Sequence, residues 1–423
     1  MKVYRANILY TPTPERFVLL ERGYVVVGDG GNVIDTYASL PDEYADVEVV
    51  DFGNQMLMPA MNDLHVHAPQ YRNLGIAMDM ELLPWLNTYT FPEEMKYSDV
   101  KYAERMYRRF VHDLWKLGTM RAAIFATIHP AASCLLADLL HEANMGGMIG
   151  LVGMDRNSPE GLTNTVEQWK EGMDLLIAHT ASMPLISAIV TPRFIPSCTP
   201  EMLNEMGHLA HDKQLPVQSH LSENQSEIEW VKDLEPQASC YGDAYNRYGL
   251  FGQTPTLMAH CCYTDKEEFE LMRRNRVFAV HCPTSNCNLG SGIAPIRRFM
   301  EAGIPVALGS DVSAGSGFSI FRAIHYTLQM AKMKWVHSNH RDKFLSLSEA
   351  FYLATKSGGS FFGKVGSFEP GYAFDALVVD DTQLNFDNYT LQHRLERYIY
   401  LGDDRHLTHR FCQGKEIAAP RII

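Results

Sequence analysis

Residues 59–68 read Pro59-Ala60-Met61-Asn62-Asp63-Leu64-His65-Val66-His67-Ala68, and the fold turns on how this stretch ends. Successive side chains on a strand point to opposite faces, so residues two apart share a face. As the end of a strand, the stretch projects His65 and His67 together, as two imidazoles converging on one metal ion would be. Taken alone, a His-x-His pair reads better as two incidental polar residues. What weighs against accident is the order of polar residues that follows. His220, Glu223, His260 and Asp311 each come just after a short apolar run.

A chain of 423 residues has room for one large body and an appendage. Its 46% hydrophobic and 21% charged residues are ordinary for a soluble globular protein. The formal net charge of −13 argues against nucleic acid, whose phosphates require clustered Lys and Arg. A small neutral substrate meets no such objection. Residues 1–7 lack the basic-then-apolar pattern of an export signal. No apolar run approaches the roughly 18 residues that span a membrane. The eight cysteines contain no Cys-x-x-Cys, which fits reduced, mostly buried thiols better than a zinc ribbon or disulfide scaffold. The expected setting is cytoplasmic, with neither membrane nor nucleic acid as partner.

Residues 1–57 read as short strands (3–9, 17–20, 24–27 and 33–37) with a hairpin signal at Gly28-Asp29-Gly30-Gly31-Asn32. The far end has the same texture, with a buried-strand run at 376–379 and a hairpin turning at Gly414. The expectation is one small β-sandwich domain built from both termini, 1–57 with 366–423.

The middle, 58–365, alternates strand-like and helix-like segments. Strand candidates are 120–125, 148–154, 185–190, 216–219, 256–259, 277–280 and 306–308, making eight with the stretch ending at His67. Helical character lies at 102–117, 133–143, 200–213, 265–275 and 320–332. Such alternation predicts a parallel sheet with crossover helices. Eight repeats favour an α/β architecture of the closed (β/α)₈ TIM barrel type, with a doubly wound open sheet as the alternative. Residues 68–97 form a long first loop over the barrel mouth. Its aromatic content, including Trp85-Leu86-Asn87-Thr88-Tyr89-Thr90-Phe91-Pro92, predicts an ordered lid.

Barrel active sites form at the C-terminal strand ends. His65 and His67 end the first strand, His220 the fifth, His260 the sixth and Asp311 the eighth. Zinc or iron accepts this mix of imidazole and carboxylate. Singly, His220 or His260 reads better as a satisfied structural histidine; five polar ends at one mouth do not. The small zinc deaminases are excluded, because His-x-Glu with Pro-Cys-x-x-Cys does not occur.

Further stretches carry a resemblance: His65-Val66-His67-Ala68-Pro69-Gln70-Tyr71, Leu83-Pro84-Trp85, Thr191-Pro192-Arg193-Phe194 and Ser219-His220-Leu221-Ser222-Glu223-Asn224. Met258-Ala259-His260, His281-Cys282-Pro283-Thr284-Ser285-Asn286, Gly309-Ser310-Asp311-Val312 and Tyr400-Leu401-Gly402-Asp403-Asp404-Arg405 belong with them. Over nearly its whole length the chain resembles the amidohydrolase superfamily, and within it most closely the barrel-type guanine deaminase family. The resemblance implies one zinc per chain, with iron possible, held by His65, His67, His220 and Asp311. It implies Glu223, His260 and Asp311 as the catalytic groups, with His260 facing the water. It implies guanine bound by Gln70, Arg193, Phe194, His220 and Glu223 and hydrolysed to xanthine and ammonia, in a homodimer. Two-metal members carry a bridging lysine at strand four; 186–194 contains none, which favours a single ion. Ser310 stands where threonine is expected and Thr284 where asparagine is, and the run after Val312 is Ser-Ala-Gly. His281 is read as support behind the ligands; His112, His129 and His141 as ordinary.

The residue chemistry agrees with that implication. Zinc brings the pKa of bound water down to about 7, so a nucleophile is available at neutral pH. Glu223, three residues after a ligand, is placed to move a proton to the ring nitrogen beside the attacked carbon. Otherwise it is one more solvated acid in the run through Glu227 and Glu229. Arg193 offers five donors and no acceptor, which suits the position-six oxygen of guanine and not the amine of adenine. Phe194 offers an apolar face, and Gln70 both donates and accepts. The competing readings are a related amidohydrolase acting on another aminated or chlorinated heterocycle, and a non-catalytic barrel scaffold.

Overall fold

The computed structural model describes residues 1–386 and 388–422. The chain opens with β1 (Lys2–Thr13), β2 (Arg16–Val27), β3 (Val33–Tyr37) and β4 (Val49–Pro59). The middle supplies β5 (Met61–His67), β6 (Thr119–Phe125), β7 (Gly146–Gly150), β8 (Val152–Gly153) and β9 (Ile186–Ala188). Then come β10 (Thr191–Pro192), β11 (Val217–Leu221), β12 (Thr256–His260), β13 (Phe278–His281) and β14 (Val306–Leu308). The C-terminal part adds β15 (Ala376–Val379), β16 (Leu407–Cys412) and β17 (Lys415–Glu416).

Both ends of the chain join one seven-stranded sheet, ordered β17-β16-β15-β4-β1-β2-β3. The expected sandwich is thus corrected to a single sheet, and alternation along the strands explains why one suffices. Tyr4, Ala6, Ile8, Leu57, Val378 and Phe411 share a face and, with Phe368 and Phe374, build a separate apolar cluster. Leu9, Met56, Met58, Leu377 and Leu407 face the other way, into the large core of the body. With an apolar partner on each face the sheet needs no second one. The segments 17–20 and 24–27, read as two strands, are one. β2 runs through them with a register shift and Arg22 at φ 51°. β4 continues to Pro59, where it pairs with Ala376, so the terminal sheet extends two residues past 57.

The eight strand candidates of the middle all lie in parallel pairings. One sheet runs β5-β6-β7-β9 and another β11-β12-β13-β14. The run 148–154 divides at Leu151 into β7 and β8, and β8 pairs with β10. A parallel bridge between Val190 and Val217 joins one pair of sheet edges. Across the other, Asp311 N–H donates to the His65 carbonyl (2.8 Å) and His67 N–H to that of Val312 (3.0 Å). Crossover helices include Val100–Lys116, Pro130–Glu142, Pro200–Lys213, Lys266–Asn275 and Ile320–His337. The first is capped by Asp99, whose side chain accepts from Lys101 N–H (2.9 Å).

Residues 68–98 are a succession of short helical turns rather than an irregular loop. Leu82, Trp85, Phe91 and Tyr97 are buried there, and Trp85 Nε1–H donates to the Ile76 carbonyl (3.2 Å). Burial of its aromatic rings against the body orders the segment.

Candidate active site

The ends of β5, β11, β12 and the turn after β14 meet in one place. Nε2 of His67 lies 3.3 Å from Nε2 of His65 and 3.3 Å from Nε2 of His220. Asp311 Oδ1 stands 3.3 Å from His65 Nε2 and 3.4 Å from His67 Nε2. Four donors around a tetrahedral zinc, with bonds of about 2.0–2.1 Å, stand about 3.3–3.4 Å apart. The four side chains fit such an ion.

Electrostatics agrees. Burial, with His65 alongside, drives the imidazoles of His67 and His220 well below the usual histidine range, so both are neutral and able to ligate. Burial alone would raise the Asp311 carboxyl, but the hydrogen bond and charge of His65, with His260 and His67, hold it well below the usual range. His220 Nδ1 lies 2.6 Å from the Arg193 carbonyl oxygen, so Nδ1–H donates there and Nε2 keeps its lone pair for the centre.

His260 sits to one side. Its Nδ1 is bound by Asn286 Oδ1 (2.9 Å), leaving Nε2 3.5 Å from Glu223 Oε2 and 3.9 Å from Asp311 Oδ2. That Nε2 is buried and has no hydrogen-bond partner within the protein. It is the atom to face a water or substrate. Ser222, His260, Cys261 and Asp311 all take positive φ (47°, 73°, 51° and 48°). Such backbone, unfavourable for residues with a Cβ, gathers at sites that the surrounding fold over-determines.

Glu223 is buried, and so is Glu227, while Glu229 is exposed, so Glu223 does not belong to a solvated face. Glu227 accepts from the main-chain N–H of Glu223 (3.0 Å) and from Tyr241 O–H (2.7 Å). Ser291 donates to Glu223 Oε1 (2.8 Å). Burial pushes the Glu223 carboxyl up to about 7, against the pull of His260. A carboxyl poised there suits general acid–base work near neutrality.

The wall opposite holds the groups expected to read a base. A pocket here is lined by His67, Gln70, Arg193, Phe194, Glu223 and Asp311, among others. Phe194 packs edge-on against Trp230 (6.1 Å between ring centroids). Sequence reasoning missed Leu82, Trp85 and Leu86 as apolar walls, although the lid motif contained the last two. It also missed Glu94. Glu94 Oε2 receives Arg193 Nη1 at 2.5 Å, and Oε1 receives Arg193 Nη2 at 3.1 Å and Gln70 Nε2 at 2.9 Å. The only signal was an acidic pair after Phe91-Pro92, and nothing in the sequence pairs it with residue 193.

The Gly402-Asp403-Asp404-Arg405 stretch lines no part of this pocket. Asp403 closes the helical turn Asp404–His406 by accepting from Arg405 N–H (3.0 Å). His281 is buried with Nδ1 unpartnered, and burial lowers it to about 3. Thr284 Oγ1 accepts from Ser316 N–H (3.2 Å), which ties it into the site's wall; Ser310 donates only its main-chain N–H to Asp63 (2.9 Å), and its hydroxyl has no hydrogen-bond partner among the described residues.

Comparison with known proteins agrees with this geometry. The model of the amidohydrolase family matches residues 56–417. Guanine deaminase of Dictyostelium discoideum is 40% identical over 381 residues, covering 87% of this chain and 84% of that protein. The crystal structure of guanine deaminase from C. acetobutylicum, with guanine bound in its active site, superposes with a TM-score of 0.97. It is 49% identical and covers 99% of this chain and 100% of that one. An adenosine deaminase from Xanthomonas campestris with bound zinc shares the fold (TM-score 0.85, 21% identity, 100% and 94% covered). The chain belongs to the amidohydrolase family, and the guanine deaminases among its relatives match it over most of their length.

Proposed function

We propose that this protein hydrolyses guanine to xanthine and ammonia at the centre formed by His65, His67, His220 and Asp311. The observation that carries this reading is the meeting, in one pocket, of ligand-type donors with Glu223, Arg193, Gln70 and Phe194. The guanine-bound relative at 49% identity supports the choice of base. One ion per chain, zinc before iron, suits the donor spacing. When bound, it supplies Lewis acidity and lowers the pKa of water.

The side chains divide the remaining work. Arg193 and Gln70 hold the oxygen and ring edge of guanine, and Phe194 covers its face. Water adds at carbon two while Glu223 carries the water's proton to the adjacent ring nitrogen. His260, held by Asn286, keeps Nε2 toward Glu223 and Asp311 and orients the attacking water. Asp311 Oδ2 assists protonation of the amino group, which leaves as ammonia. Leu82, Trp85 and Leu86 exclude bulk water.

The middle strands, read as one set, close into a (β/α)₈ barrel. The Val190–Val217 bridge and the bonds from 311–312 to 65–67 support closure at both edges. The barrel spans about residues 60–365, with the terminal sheet as a second unit. A homodimer in the cytoplasm is the assembly and setting the family suggests. The free cysteines among the described residues fit a reducing compartment. No helix among the described residues is long and apolar enough to cross a membrane.

The test is ammonia release from a panel of guanine, adenine, cytosine and a chlorotriazine. Guanine should be hydrolysed strongly and the others very little. Arg193→Leu should lose most guanine activity with the metal retained. Faster turnover of adenine or the chlorotriazine by the parent protein would overturn the substrate assignment.

A further inference from the structure

Glu94 reaches the site from the segment over the strand ends, far in sequence from both side chains it holds. It is 3% exposed, Arg193 is 4% exposed and Gln70 3%. Its two carboxylate oxygens receive both terminal nitrogens of Arg193 and the amide nitrogen of Gln70. A bidentate carboxylate–guanidinium pair fixes the plane of the guanidinium as well as its position. Three of the five arginine N–H donors are then left for a ligand. The bond to Gln70 settles that side chain too. With Nε2 committed to Glu94, Oε1 turns to the main-chain N–H of Ser313 (3.2 Å), and the amide cannot flip. Phe91, from the same segment, stacks under Arg193 with its ring centroid 5.0 Å from Cζ.

The geometry points to Glu94 as a positioning and specificity-determining residue that makes Arg193 and Gln70 one rigid reader of the base edge. This rests on the guanine reading above. Glu94 itself lines no part of the pocket, so it acts through its two partners. It also neutralises a buried cation beside a neutral substrate. Without it, Arg193 would hold no fixed direction toward the position-six oxygen, and Gln70 could present either end of its amide.

The experiment compares the parent with Glu94→Gln and Glu94→Asp on guanine and on 2-aminopurine, which lacks the position-six oxygen. A misplacement of about 1 Å costs about 10²-fold. Both variants should therefore raise KM for guanine about tenfold or more, with kcat less affected and metal content unchanged. The preference for guanine over 2-aminopurine, read as turnover or as inhibition constants, should shrink by a similar factor. In an Arg193→Leu background, Glu94→Gln should cost much less than it does in the parent, leaving only its effect through Gln70. A variant that loses thermal stability but keeps the parent's guanine preference would overturn the proposal, as would full additivity with Arg193→Leu. A parent that releases no ammonia from guanine sinks the reading of the activity instead. Calorimetric binding of xanthine to parent and variants as purified then tests Glu94 by itself. Equal affinities in the three proteins would overturn its role.

Discussion

The imidazole Nδ1 of His220 donates to the main-chain carbonyl of Arg193 at 2.6 Å. One donor of the ligand set is thereby oriented by the backbone of the residue expected to read the substrate. The end of β11 and the residue after β10 are held in mutual register, so the proposed metal donors and the side chain proposed to read the base sit at a set distance. Such supporting bonds decide whether a site is placed closely enough to work.

Metal content tests the donor set. The protein should carry about one zinc or iron per chain, measured by elemental analysis after dialysis. His65→Ala and Asp311→Ala should each lose most of it. Two tightly held equivalents in the active protein would end the mononuclear reading.

Glu223→Gln tests the proton carrier. The variant should keep its metal and its fold and lose roughly 10²–10⁴-fold in kcat. Circular dichroism and metal analysis control for structure. A rate within about threefold of the parent, against that expected loss, would assign the proton to another group.

Glu268 offers a pH-dependent test of stability away from the metal donors. Its carboxylate accepts from Ser222 O–H and Gly242 N–H beneath the turn that carries Glu223. Burial pushes its pKa up from 4.5 to about 7. The folded state therefore binds more protons than the unfolded between those values. The contribution of this group is full below 4.5 and is lost as pH rises through 7. Glu268→Gln removes that loss. Relative to the parent, the variant should gain up to about 3 kcal/mol between pH 4.5 and pH 8 in urea midpoints. A pH-independent difference would refute the assignment.

Arg121 of β6 and Asp375, which precedes β15, join the body to the terminal sheet through a buried pair at 2.6 Å. Asp375 also accepts from Gln413 N–H (2.7 Å). Removing one charge strands the other, so Asp375→Ala should cost about 3–5 kcal/mol in denaturant unfolding. Arg121→Met with Asp375→Leu should cost much less than the sum of the single changes. Simple additivity would mean that the two charges are not coupled.

What could be read along the chain was whatever has a local signature. Each middle strand announced itself as an apolar run, because a parallel strand is buried on both faces. The hairpins were marked by Gly28–Asn32 and Gly414. The two histidines of β5 were paired by the period of a strand. His220, Glu223, His260 and Asp311 were recognisable because each closes an apolar run, and the motifs around them are shared with the amidohydrolase family.

Long-range partnership had no such signature. That both termini form one sheet rather than two depended on what lies against each face, which alternation along a strand does not say. Glu94 illustrates the same limit at the site. A Glu beside a Glu after Phe91-Pro92 is locally a surface residue, and only folding brings its carboxylate to an arginine 99 positions away. The sequence by itself determined the elements and the chemically capable residues, because dihedral preference, side-chain period and donor type are properties of short stretches. The tertiary structure alone decided the 3.3 Å convergence of imidazoles, the burial that keeps them neutral and the carboxylate that locks Arg193 to Gln70. Those are distances and dielectric environments between residues that the chain order leaves far apart.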